Sequence, residues 1–352
     1  MSARLRPALD ALGSYKPGRR PAPGQDVSRL ASNETPFPLL PHVQQAVASA
    51  IADSNRYPDP SGQRLTEVLA AKHLVEADRI ALGCGSVQLV QELVEIACDV
   101  GDEVVFAWRS FEAYPTLTAI AGATEVRVPL RDMHLDLDAM AAAVTDRTRL
   151  VLLCSPNNPT GPALAQDDVK SFLETVPATV LVVLDEAYAE FVDDPLAVDG
   201  TRLLSTYPNL VVLRTFSKAY GLAGLRVGYA LAGDPAVAGA LRQVHLPFAV
   251  SIAAQAAALA SLEVEDELME QVAQVVALRE PLRQQLLEIG WDVPSTQGNF
   301  VWLPSGADTD RVNGVFEDHG VLVRAFTGEG IRITVGTQQD VDRVLTAARA
   351  AR

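Results

Sequence analysis

Two runs of the chain, Leu150–Cys154 and Val180–Leu184, are apolar without polar alternation. A strand that is hydrophobic on both faces belongs between two layers of a parallel sheet. Shorter β-branched or apolar runs occur at Ile80–Leu82, Val104–Ala107, Glu125–Val128, Leu210–Thr215 and Val227–Ala230. Segments with helical spacing stand between and before them: Pro41–Ser54, Gln63–Leu74, Val87–Cys98, Tyr114–Ala121 and Leu137–Val144. Strands alternating with helices predict an α/β doubly wound fold with a mostly parallel seven-stranded sheet flanked by helices. Ligands of such sheets gather where strands end at their carboxyl edge.

Both ends of the chain depart from this rhythm. Residues 13–38 carry Pro17, Pro21, Pro23, Pro36 and Pro38, which predicts an extended arm. Beyond residue 247 an Ala-, Leu- and Gln-rich stretch, Ser251–Ile289, reads as helix, with Pro281 marking a break or kink. Strands are expected at Gly298–Leu303, Val321–Arg324 and Ile331–Val335, and a last helix at Val341–Ala350. The expected organisation is an arm over 1–40 that joins a smaller α+β domain, a large domain over 41–247, and linking helices with the rest of the small domain over 248–352. With 352 residues, two domains also agree with the usual domain size of roughly 150 residues.

Composition narrows the function. Hydrophobic residues make up 48% and charged residues 21%, an ordinary globular mixture that excludes a disordered, collagen-like or disulfide-scaffold chain. The 44 acidic residues exceed the 29 basic ones, for a net charge of -15. That balance argues against nucleic acid or an anionic membrane as partner, since both are bound through clustered Lys and Arg. It leaves a small anion open, because two or three cations in one pocket suffice. The three cysteines and five histidines show no metal spacing. With no signal-peptide core and no long apolar span, a cytoplasmic protein is expected.

Four motifs sit directly after apolar runs. Thr215–Gly228 (TFSKAYGLAGLRVG) places Lys218 in a turn of small residues. A solvated surface lysine is the bland reading; small neighbours instead suggest that something bulky approaches the backbone, with Ser217 and Arg226 available to a phosphate. Asp185 and Tyr188 follow the run ending LVVLD; the Asp is either a helix cap or a carboxylate facing a protonated ring nitrogen. Cys154–Gly161 (CSPNNPTG) is either a tight turn or a means of aiming Asn158 into a cleft. Leu82–Gln88 (LGCGSVQ) is a Gly-rich turn into a helix, whose N–H groups and dipole suit an anion.

Taken in order, these motifs resemble the fold-type I pyridoxal-phosphate aminotransferases. TFSKAYGLAG matches the lysine-site signature of their class II branch at each restricted position. The segments at Leu30–Pro36 (LASNETP), Asn55–Asp59 (NRYPD) and Ile331–Gly336 (IRITVG) extend the resemblance over nearly the whole chain. It implies an aspartate-aminotransferase-like fold, pyridoxal 5'-phosphate as cofactor, amino acid and 2-oxo acid substrates, and a homodimer.

The same resemblance implies roles. Lys218 would form the Schiff base with the cofactor and later shuttle the α-proton. Asp185 would hold the pyridine nitrogen protonated, and Asn158 and Tyr188 would bond the ring 3-oxygen. Ser217, Arg226 and the N–H groups of Ser86 and Val87 would cradle the phosphate, and Phe111 would stack on the ring. Tyr57 would reach the phosphate in the partner subunit's site. Arg332 would clamp the substrate α-carboxylate, Asn33 lies in the arm that closes over substrate, and Arg324 and Tyr15 are candidates for its distal part.

Two sister families come nearest: histidinol-phosphate aminotransferases and actinobacterial aromatic (phenylalanine) aminotransferases. Ser86-Val87-Gln88 replaces the Ser-Asp-Glu usual in the first. The stretches Phe106–Pro115, Val144–Leu150 and His245–Val250 look like the second. The expectation is transfer from phenylalanine or tyrosine to 2-oxoglutarate, with histidinol phosphate as the alternative donor and a fold-type I decarboxylase as a remoter one.

Overall fold

The computed structural model describes residue 24 and residues 26–352; Tyr15 lies outside them. The chain opens with a two-residue strand, β1 (Ser28–Arg29), then α1 (Pro41–Ile51) and α2 (Gln63–His73). The alternating section follows: β2 (Ile80–Gly83), α3 (Ser86–Ala97), β3 (Glu103–Trp108), α4 (Tyr114–Ala121), β4 (Thr124–Pro129), α5 (Leu137–Ala142), β5 (Thr148–Cys154), α6 (Gln166–Thr175), β6 (Leu181–Asp185), β7 (Leu210–Thr215) and β8 (Gly228–Ala232).

These strands form a seven-stranded sheet in the order β2-β8-β7-β6-β5-β3-β4. It is parallel except at β8, which runs antiparallel to β2 and to β7. All seven expected strands are present, and β5 and β6 are buried along almost their whole length as their uninterrupted apolar pattern demands. Apolar clusters cover both faces: Val105, Val151 and Val182 on one, Phe106, Leu152 and Val183 on the other.

The remainder comprises α7 (Pro235–Val244), α8 (Ile252–Glu263), α9 (Glu265–Ile289), β9 (Phe300–Leu303), α10 (Thr309–Asp318), β10 (Val321–Leu322), β11 (Arg324–Phe326), β12 (Gly330–Thr334) and α11 (Gln338–Ala351). β11, β12 and β9 make an antiparallel three-stranded sheet, while β1 pairs in parallel with β10. The helical stretch after residue 250 breaks at Val264, and α9 runs through Pro281. A buried stripe of Val272, Val275, Leu282 and Leu286 spans the proline. Packing on both sides outweighs the roughly 3 kcal/mol that an interior proline costs.

Candidate active site

Five strands of the large sheet, β2, β3, β5, β6 and β7, end beside one cavity of about 170 Å³. Each contributes through the residues just past its carboxyl end, as expected for a doubly wound sheet. Ser86, Val87, Phe111, Asn158, Asp185, Tyr188, Ser217, Lys218, Arg226, Arg324 and Arg332 all line it. Asn33 and Tyr57 do not.

The loop after β2 is shaped for an anion. Gly85 has φ 76° and is the N-cap of α3, and no side chain caps that terminus. A Cβ at Gly228 would stand 2.8 Å from the Ser86 nitrogen, so β8 packs against the turn only because that position is glycine. Gln88 takes the N–H of Cys84 on its Oε1 at 2.7 Å and passes its amide to Glu92. The side chain that sets this sequence apart from Ser-Asp-Glu thus ties the turn together. Arg226 closes the other side. Its φ is 59°, and its guanidinium donates to the carbonyls of Ala223 (3.1 Å) and Cys84 (3.3 Å) and to Ser217 Oγ (3.4 Å). Cation, hydroxyl and helix N–H groups converge there, as a phosphate requires.

Asp185 is buried at the end of β6. Its Oδ2 accepts from Tyr114 Oη at 2.9 Å, whereas its Oδ1 has no hydrogen-bond partner among the described residues. Burial lifts the carboxyl to about 6, against the donations of Tyr114 and the Ala187 N–H. A buried carboxylate with one satisfied and one orphaned oxygen is a site for a cation or a protonated donor. Tyr114 itself is fully buried and its phenol is held far above its ordinary value by that burial, so it remains a donor.

Lys218 is half-buried, and its Nζ donates to the Ser32 carbonyl at 2.9 Å. Burial pushes the ammonium down to about 7, and the charges of Arg332 and Arg226 act the same way while Glu34 opposes them. Near neutral pH a large fraction is therefore free amine, the nucleophilic and basic form.

Asn33, in the left-handed region at φ 53°, is fully buried. Its backbone N–H donates to Thr334 Oγ1 at 2.9 Å and its Nδ2 donates to Tyr188 Oη at 2.9 Å. Receiving that bond, the Tyr188 hydroxyl keeps its own proton to give, and burial holds the phenol up at about 12. Asn33 thus acts on the cavity through Tyr188. Arg332 is buried on β12, donating to Asn158 Oδ1 (2.6 Å) and the Ala31 carbonyl (2.7 Å). Asn158 Nδ2 makes no hydrogen bond to the described residues and is left to donate.

Two lining or supporting residues were not singled out from sequence: Tyr114, and Glu112, whose Oε2 lies 2.6 Å from Arg324 Nη2. Both belong to the Phe111-Glu112-Ala113-Tyr114 segment, where the polar atoms beside an expected stacking aromatic were the available signal. Tyr57 is 79% exposed and stacks on Phe248 at 4.4 Å between centroids, away from this cavity.

The sheet thus carries a lysine just after β7 and a buried carboxylate with an orphaned oxygen at the end of β6. Residues 25–347 match the family model for class I and II aminotransferases, and the chain belongs to that family. An aromatic amino acid aminotransferase of Thermobifida fusca (strain YX) is 54% identical over 346 residues, covering 98% of this chain and 96% of that protein. Among solved structures, histidinol-phosphate aminotransferase from Sinorhizobium meliloti, in complex with pyridoxal-5'-phosphate, superposes with a TM-score of 0.89 at 29% identity. That match covers 100% of this chain and 98% of the other. Thermus thermophilus aspartate aminotransferase (a single mutant) shares the fold at TM-score 0.85 and 22% identity over the full length of both chains.

Proposed function

We propose that the chain is a pyridoxal-phosphate-dependent aminotransferase that moves the amino group of an aromatic L-amino acid, phenylalanine or tyrosine, to 2-oxoglutarate. The observation that carries the cofactor is the orphaned Oδ1 of Asp185 in a cavity that also holds Lys218 and an anion cradle. The donor class rests on the 54% identical relative of that name. The histidinol-phosphate reading draws on a structure 29% identical, and Arg324, a cation that could meet a second phosphate, is paired with Glu112.

When bound, the cofactor supplies an aldehyde for Lys218 and a ring that accepts the electron pair of the substrate α-carbon. Asp185 Oδ1 would accept from the ring nitrogen and keep it protonated, with Tyr114 fixing the other carboxylate oxygen. Asn158 Nδ2 and the Tyr188 hydroxyl would donate to the ring 3-oxygen. The N–H groups of Ser86 and Val87, Ser217 and Arg226 would bind the phosphate, and Phe111 would pack on the ring face. Arg332, pre-oriented by Asn158 and Ala31, would take the α-carboxylate bidentately. Lys218 Nζ would then receive the substrate α-proton and hold it for return, a task suited to an amine titrating near 7.

In the same reading the small domain comprises the arm before residue 41 and the chain after 247, closing over the cavity. Tyr57, stacked on the exposed Phe248, serves a homodimer in which it reaches the other subunit's phosphate. Among the described residues no helix is long and apolar enough to cross a membrane, and the protein would act in the cytoplasm. The test is spectral: purified protein should show an imine band that Lys218→Ala abolishes. A colourless protein that gains no band with added pyridoxal phosphate contradicts the proposal.

A further inference from the structure

Arg324 and Arg332 are direct partners across the antiparallel β11–β12 ladder. Residues paired in this way project to the same face with Cβ atoms about 4.5–5.5 Å apart, and like charges there repel. Both line the cavity. Each guanidinium is accommodated differently. Arg332 donates to two neutral acceptors, Asn158 Oδ1 and the Ala31 carbonyl. Arg324 is paired with a carboxylate, Glu112 Oε2 at 2.6 Å, and that pair is shielded, with side-chain exposures of 14% and 25%. Glu112 comes from the segment after β3, next to Phe111, so the pair bridges the large sheet to the small one. Arg324 also lies over the Phe326 ring at 5.6 Å.

The proposed reaction makes contradictory demands on this end of the cavity. A phenyl ring needs a surface with no uncompensated charge, since a bare cation loses its hydration against it. The distal carboxylate of 2-oxoglutarate needs a cation. One site meets both in turn only if the cation is neutralised by something a carboxylate can displace.

We propose that Glu112 is a specificity-determining residue: paired with Arg324, it gives the aromatic substrate a charge-neutral end wall, and it yields Arg324 to the distal carboxylate of a dicarboxylic substrate. This rests on the functional reading above. A planar guanidinium–carboxylate pair offers a flat face to an aromatic ring, and its release replaces one charge-assisted hydrogen-bond pair by another. The cost of breaking the pair lowers the affinity for dicarboxylates in the wild type. Removing the Glu112 charge removes that cost.

The test uses the cofactor-loaded enzyme and two unreactive ligands, glutarate and 3-phenylpropanoate, with Kd read by calorimetry. Glu112→Gln should bind glutarate about tenfold more tightly, the worth of one charged hydrogen bond, while 3-phenylpropanoate stays level or weakens. In turnover the KM for 2-oxoglutarate should fall with kcat little changed. Arg324→Met combined with Glu112→Gln, which leaves neither charge behind, should weaken glutarate by a similar factor and spare 3-phenylpropanoate, and Glu112→Asp should restore the wild-type ratio of the two ligands. If both ligands shift by one common factor in Glu112→Gln, the pair only packs the loop and the assignment is wrong; if neither moves, it is equally wrong. A wild-type enzyme that turns over phenylalanine while the Glu112→Gln ratio stays unchanged sinks this inference alone. One that turns over no phenylalanine overturns the functional reading and this inference with it.

Discussion

Tyr114→Phe removes one hydroxyl from the core and nothing else, and its consequence should be electrostatic. The Tyr114 Oη to Asp185 Oδ2 bond is 2.9 Å and both groups are buried. A hydrogen bond to a charged group is worth about 1.5–3 kcal/mol, and 1.36 kcal/mol corresponds to about one pH unit. In the cofactor-free protein the Asp185 carboxyl, already at about 6, should therefore rise by about one to two pH units further. Protonated, it presents no charge to the ring nitrogen. The variant should bind pyridoxal phosphate about two- to tenfold more weakly at pH 7, and the deficit should shrink toward pH 9, where the carboxylate ionises in both proteins. Absorbance titration of cofactor into the cofactor-free proteins between pH 6 and 9 measures this; the ratio of the two Kd values cancels titration of the cofactor itself. Stability gives a second reading. A carboxyl raised in the folded state adds stability below its unfolded value of 3.8 that is lost as pH climbs through about 6. In Tyr114→Phe that loss should continue to higher pH. A Kd ratio of one, or a deficit that is flat with pH, would refute the reasoning that Tyr114 keeps Asp185 ionised.

Other consequences follow from the same cavity. In cofactor-free protein, Lys218 should react with an amine reagent such as trinitrobenzenesulfonate with a midpoint near pH 7, located by mass spectrometry of the labelled peptide; a midpoint near its ordinary 10.5 contradicts the burial argument. Stability should rise with pH between those two values, because the unfolded chain binds the proton that the folded chain releases. Arg332→Ala should lower kcat/KM for every amino donor alike, by at least about a hundredfold if both bonds of a bidentate clamp are lost. A loss confined to one donor would mean that Arg332 reads side chains. Gly228→Ala should drive a methyl into the Ser86 nitrogen, costing roughly 1–3 kcal/mol and weakening cofactor phosphate binding; unchanged cofactor affinity would show that the turn yields.

The sheet was legible because its strands are buried on both faces, which leaves an uninterrupted apolar run such as Leu150–Cys154 that needs no tertiary knowledge to read. The site's frame was legible because four of the apolar runs are followed directly by a polar motif. What lies across the chain was not. Tyr114 and Asp185 are 71 residues apart, Asn33 and Tyr188 are 155 apart, and Glu112 and Arg324 are 212 apart. Only the folded sheet brings them within hydrogen-bond reach, so Tyr114 reads locally as nothing more than the start of a helix. Pro281 does not break the helix, for a related reason. A local rule expects a break or kink there, but α9 continues through it with residues buried against distant elements, including Arg279, which donates to the carbonyls of Phe191 and Gly298.

The central claim, an aminotransferase for aromatic donors, is tested most directly by a donor comparison. With 2-oxoglutarate as acceptor, kcat/KM is measured for phenylalanine, tyrosine and histidinol phosphate on the same cofactor-loaded preparation. The structure, with Arg324 neutralised by Glu112, predicts that phenylalanine and tyrosine exceed histidinol phosphate by at least about tenfold. A preference for histidinol phosphate would contradict the substrate assignment, and no transfer from any of the three would contradict the account as a whole.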